Sequence, residues 1–109
     1  MPARPMSPAQ LALVAEQFKA LAEPARLAIL QALMPRERSV GDLQTVTGLG
    51  QANLSKHLRQ LHAAGFVMRR KEGLFVFYAV ADPRVEQLCD LMCAKLDAQL
   101  AAQRDAMAG

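Results

Sequence analysis

The chain has 109 residues, 52% of them hydrophobic and 21% charged, with a formal net charge of +3. That is enough for one domain with one modest core, and too apolar for a disordered chain. No apolar stretch approaches the ~20 residues of a membrane helix, the N-terminus lacks the pattern of a secretory signal, and two cysteines make no disulfide framework, all of which fit a cytoplasmic protein.

Residues 1–7 contain Pro2 and Pro5 and read as a flexible arm. Residues 8–106 read as one domain without repeats or an internal linker. Ser7-Pro8 is an N-cap followed by proline at the first helical position, and Leu11, Val14, Phe18 and Leu21 then recur on one helical face. Glu23-Pro24 restarts the chain, and Ala25 to Met34 is a second helix carrying Leu27, Ile29, Leu30 and Leu33, stopped by Pro35. Ser39 caps a short third helix, Val40 to Val46, which ends at Gly48.

After the turn Thr47-Gly48-Leu49-Gly50, a fourth helix runs from Gln51 towards Gly65. Leu54, Leu58 and Leu61 form its apolar stripe, and Gln51, Asn53, Ser55, Lys56 and Arg59 offer amide, hydroxyl and cationic groups on the rest of the surface. Helix, tight turn and polar-faced helix present a recognition helix to the major groove of double-stranded DNA. The period then changes from 3.6 to 2. Residues 66–71 and 74–80 are rich in β-branched and aromatic residues, and Glu72-Gly73 between them signals a tight hairpin. Asp82-Pro83 caps a last long helix that reaches about Ala106. The predicted fold is therefore mainly α with a two-stranded β-wing, a winged helix-turn-helix. The basic edge of the wing, Arg69, Arg70 and Lys71, is suited to phosphate.

Charge is unevenly placed. Residues 51–73 carry Lys56, Arg59, Arg69, Arg70 and Lys71 against Glu72, a net +4. Residues 82–109 carry Arg84, Lys95 and Arg104 against Asp82, Glu86, Asp90, Asp97 and Asp105, a net −2. The basic excess thus falls on the segment with the recognition pattern.

The run Phe18 to Leu30 (FKALAEPARLAIL), then Ser39-Val-Gly-Asp-Leu43, then Leu54-Ser-Lys-His-Leu58 through Leu61-His-Ala-Ala-Gly-Phe-Val67 resembles the ArsR/SmtB family of winged-helix repressors. Glu72-Gly73 and the aromatic strand ending in Phe77-Tyr78 extend the resemblance over about residues 8–95. It implies a homodimer packed through the first and last helices, binding pseudo-palindromic operator DNA and released by an inducer. Within this reading Gln51, Asn53 and Ser55 are candidates for base contacts and Ala52 for a thymine methyl. Lys56, Arg59, Arg69, Arg70 and Lys71 are candidates for phosphate. The resemblance gives Arg26 two roles, contact with the DNA backbone or bracing of the recognition helix.

Metal sensors of that family carry cysteines where this chain has Ser39 and Gly41, so the thiolate box is empty. The box on the last helix needs histidines, and neither His57 nor His62 lies there, which leaves Asp82 as a helix cap. Gln31 stands where redox-switching members have a cysteine. Cys89 and Cys93 remain, four apart on the last helix with Val85, Met92, Leu96 and Leu100. They serve packing alone, or they supply sulfur from both halves of a dimer to a thiophilic ion, a small inducer or an oxidant. His57 reads as a partner of a phosphate, a base or a backbone group, and His62 as an ordinary helix residue. No nucleophile elbow, phosphate-cradling loop or spaced metal-ligand set points to an enzyme or to a cofactor. The alternative function is a winged-helix protein-interaction module without an operator, which would place apolar anchors on the face of residues 51–59.

Overall fold

The structure is a computed structural model that describes residues 5–108, so residues 1–4 of the expected N-terminal arm lie outside it. Five helices and three short strands follow one another in the order α1 (Pro8–Leu21), α2 (Pro24–Leu33), β1 (Arg38–Ser39), α3 (Val40–Thr47), α4 (Gln51–Ala63), β2 (Val67–Glu72), β3 (Phe75–Val80) and α5 (Arg84–Ala108).

The helix ends follow the capping chemistry of the sequence. Ser7 accepts a hydrogen bond from the Gln10 backbone, and the Gln10 side chain accepts one from Ser7 N–H, a complete capping box. Ser39 caps α3 through the Asp42 N–H, and Asp82 accepts the Arg84 N–H at the start of α5. Gly48 ends α3 at φ 72°, a left-handed conformation that glycine adopts without the steric cost of a Cβ, and this turn sets the direction of α4.

The core lies between α2, α3, α4 and the sheet. Ile29, Leu30, Leu33, Leu43, Leu54, Leu58 and Leu61 are essentially inaccessible, and Leu21, Val67, Tyr78 and Val85 close its edges. Leu27, expected among the apolar positions of α2, is 43% exposed, because it lies well away from the side of the helix that carries Ile29, Leu30 and Leu33.

The sheet is antiparallel in the order β1-β3-β2. β1 went unforeseen: Arg38 pairs with Tyr78 and Ser39 with Phe77, and a two-residue strand has no period to detect. In the hairpin Glu72 pairs with Phe75, so the two loop residues are Gly73 and Leu74, one position later than expected. Gly73 has φ 58°, which relieves the backbone of the tight reversal.

Candidate nucleic-acid interface

The α4 sequence QANLSKHLRQLHA places Leu54, His57, Leu58 and Leu61 against the core. At about 100° per residue the opposite direction belongs to Ala52, Ser55, Lys56 and Arg59, with Gln51 and Asn53 on the two flanks. All six are at the surface, Ser55 partly covered and the others exposed. Gln51 and Ser55 face the wing and share a cleft of about 370 Å³ with Val40, Gly41, Arg69 and Tyr78. The helix-turn-helix and the wing therefore converge on one side of the molecule.

The wing does not present its basic run as one edge. In the β2–β3 register Val67 faces Val80, Arg69 faces Tyr78 and Lys71 faces Val76. Val67 and Tyr78 are buried, so Arg69 and Lys71 belong to the sheet face that turns towards α4. Arg70 is on the other face. Its Nη2 and Nε donate to the two carboxylate oxygens of Glu37 at 2.7 and 3.2 Å, and its Nη1 donates to Glu72 at 2.5 Å. Its guanidinium lies 4.6 Å from the centroid of the Phe77 ring. These contacts hold the Glu37 carboxyl below the usual carboxylate range and push the Arg70 guanidinium up.

Arg26 also has partners within the chain. Its guanidinium donates to the Gln60 side chain of α4 and to the Lys19 carbonyl at 3.5 Å. Of the two roles held open for Arg26, the contact present here is the brace. Gln51, Asn53, Ser55, Lys56, Arg59, Arg69 and Lys71 make no side-chain hydrogen bond or ion pair among the described residues.

His57 departs from expectation. It is only 7% exposed, on the core side of α4, and its Nδ1 has no hydrogen-bond partner among the described residues. It is turned away from the direction of Lys56 and Arg59, so the phosphate or base contact read from its neighbours does not fit its position. His62 is exposed, as expected of a helix-surface residue. Two residues that matter here, Glu37 and Gln60, carried no local signal, because their partners lie 33 and 34 positions away.

Cys89 is half-buried and Cys93 exposed on α5. Burial, then the neighbouring Cys93 and Asp90, push the Cys89 thiol up. Among the described residues no helix is long and apolar enough to cross a membrane.

Residues 23–69 match the model of the bacterial regulatory protein, arsR family. A helix-turn-helix-type transcriptional regulator of Mycobacterium tuberculosis, Rv0081, is 46% identical over 77 residues, which cover 70% of this chain and 68% of that protein. The chain belongs to the ArsR family of transcriptional regulators. The crystal structure of Rv0081 superposes with a TM-score of 0.76 at 39% identity, covering 91% of this chain and 98% of that one. The homodimeric winged helix-turn-helix DNA-binding domain of Mb0332 from Mycobacterium bovis gives a TM-score of 0.76 at 35% identity, covering 90% and 94%. The biofilm growth-associated repressor of Xylella fastidiosa is 34% identical over 79 residues, 72% of this chain and 69% of that protein. The match with solved winged-helix structures agrees with the architecture expected for this ArsR chain, including its recognition helix and wing.

Proposed function

We propose that this ArsR-family chain is a repressor that binds operator DNA as a homodimer, reading bases with Gln51, Ala52, Asn53 and Ser55 and holding phosphate with Lys56, Arg59, Arg69 and Lys71. The observation that carries the reading is the set of four exposed cations, Lys56 and Arg59 on the outward side of α4 and Arg69 and Lys71 on the wing face towards α4, none of which has an ion-pair partner among the described residues. Unpaired cations around a polar helix face suit a polyanion. A protein-binding surface would centre on large apolar anchors, and the outward side of α4 offers only the methyl group of Ala52.

A homodimer is supported by apolar surface that one chain leaves uncovered. Leu11, Val14 and Phe18 of α1 and Met92, Leu96 and Leu100 of α5 are each at least 36% exposed. One cleft is lined by Gln17 of α1, by Phe66, and by Val85 and Leu88 near the start of α5, which brings that residue of α1 close to the first turns of α5. A two-fold pairing through them gives one recognition helix per half-site. Cys89 and Cys93 lie on α5 beside this surface and are the candidate entry point for an inducing signal. The raised Cys89 thiol disfavours a reactive thiolate, and a thiophilic ion, which displaces the proton on binding, suits it better.

The test is binding of the full chain to its own upstream region, measured by anisotropy at two salt concentrations with an unrelated duplex as control. Specific binding that weakens steeply with salt is expected. Equal affinity for both duplexes, or none for either, would remove the operator reading. Replacing both cysteines with serine, and titrating the bound complex with As(III) and Cd(II), tests the signal: release by either ion should depend on the thiols.

A further inference from the structure

One side chain ties all three strands of the sheet together. Arg70 starts from β2, lies over Phe77 of β3, its direct cross-strand partner, and ends on Glu37, the residue before β1. β1 runs without a break into α3 through the Ser39 cap. The link therefore joins the wing to the first helix of the helix-turn-helix, on the sheet face away from Arg69 and Lys71. Its geometry is bidentate and planar, which fixes orientation as well as distance. A lysine or a phosphate-seeking arginine would not need Glu37, Glu72 and an aromatic ring around it.

We propose that Arg70 is a positioning residue: through Glu37 it sets the angle of the wing against α3 and α4, so that Arg69 and Lys71 reach DNA, and it takes no phosphate itself. This rests on the DNA-binding reading above. The two possible roles of Arg70 make opposite demands on Glu37. If Arg70 served phosphate, Glu37 would be its competitor, and removing that charge would strengthen DNA binding. If Arg70 orients the wing, Glu37 is its anchor, and removing that charge weakens binding.

The experiment measures operator affinity of the full chain across a salt series for wild type, Glu37→Gln, Arg70→Gln, the double variant carrying both, and Arg69→Ala. An exposed pair of good geometry corresponds to about a three- to fivefold loss of affinity. Both single variants are expected to lose that much, the double variant no more than either single one, and all three to keep the wild-type salt slope. Arg69→Ala is expected to lower the slope by about one. Exchanging the charges, Glu37→Arg with Arg70→Glu, should restore affinity, which separates an orienting pair from a mere loss of fold. Hydrogen exchange without DNA supplies a second readout: amides of Val67–Glu72 should exchange faster in both single variants while those of α2 and α4 do not change. Equal or tighter binding by Glu37→Gln, or a lowered slope for Arg70→Gln, overturns the proposal. Wild type that fails to bind the operator overturns the DNA reading instead.

Discussion

His57 follows Lys56 on α4 and lies two residues before Arg59, yet its ring is turned into the protein and its Nδ1 has no hydrogen-bond partner among the described residues. A buried polar atom without a partner costs roughly 1–3 kcal/mol, and an apolar residue of similar size removes that cost. His57→Leu should therefore keep operator affinity and match or exceed the wild-type Tm. Lost affinity with an intact fold would give the imidazole a part in binding that its position does not indicate. Asp82 shows the opposite case, a carboxylate fully used. The Arg84 side chain and backbone N–H hold it at about 2, below the ordinary value near 3.9. Its contribution to stability is complete above about pH 4 and is lost as the pH falls towards 2. Asn also caps helices but does not titrate, so Asp82→Asn should leave the Tm near neutral pH almost unchanged and flatten its fall in acid. An identical acid profile for the two proteins would show that the cap carries no pH dependence.

The same contrast between local and distant partners governs what could be read at the scale of elements. The caps at Ser7, Ser39 and Asp82 bond backbone two or three residues away, so the helix starts were legible from sequence. Periods of 3.6 and 2 identified α4 and the wing, the two elements that carry the proposed DNA-binding residues. β1 escaped because two residues are defined only by their pairing with β3. The run Arg69-Arg70-Lys71 was legible as basic, and strand alternation alone would have divided it between two faces. What no local pattern contained was the anchor at Glu37, which decides that the middle arginine is occupied. The caps make a measurable prediction. Ser39→Ala removes the side-chain acceptor for the Asp42 N–H and should cost about 1 kcal/mol in urea denaturation. A cost near zero would mean that β1 pairing alone holds the start of α3.

For the whole molecule, shape and burial point the same way. The radius of gyration is 17.0 Å, against about 13 Å for a compact chain of this length. The excess lies in α5, a 25-residue helix about 37 Å long whose only buried residue is Val85, near its start. Beyond Cys89 nearly every residue is exposed, including Met92, Leu96 and Leu100. A single chain gains little from holding such a helix straight, whereas a second copy would cover this surface together with Phe18 of α1. Stability should then depend on protein concentration, with the Tm rising on dilution series read from low to high. Leu96→Glu places a charge on the expected interface and leaves Ile29, Leu30, Leu58 and the rest of the core untouched. That variant should sediment as a folded monomer with native-like far-UV circular dichroism. It should also lose most of its operator affinity, because two half-sites can no longer be engaged by one assembly. A folded dimer of wild-type mass would move the interface away from α5, and a folded monomer with wild-type operator affinity would separate DNA binding from dimerisation.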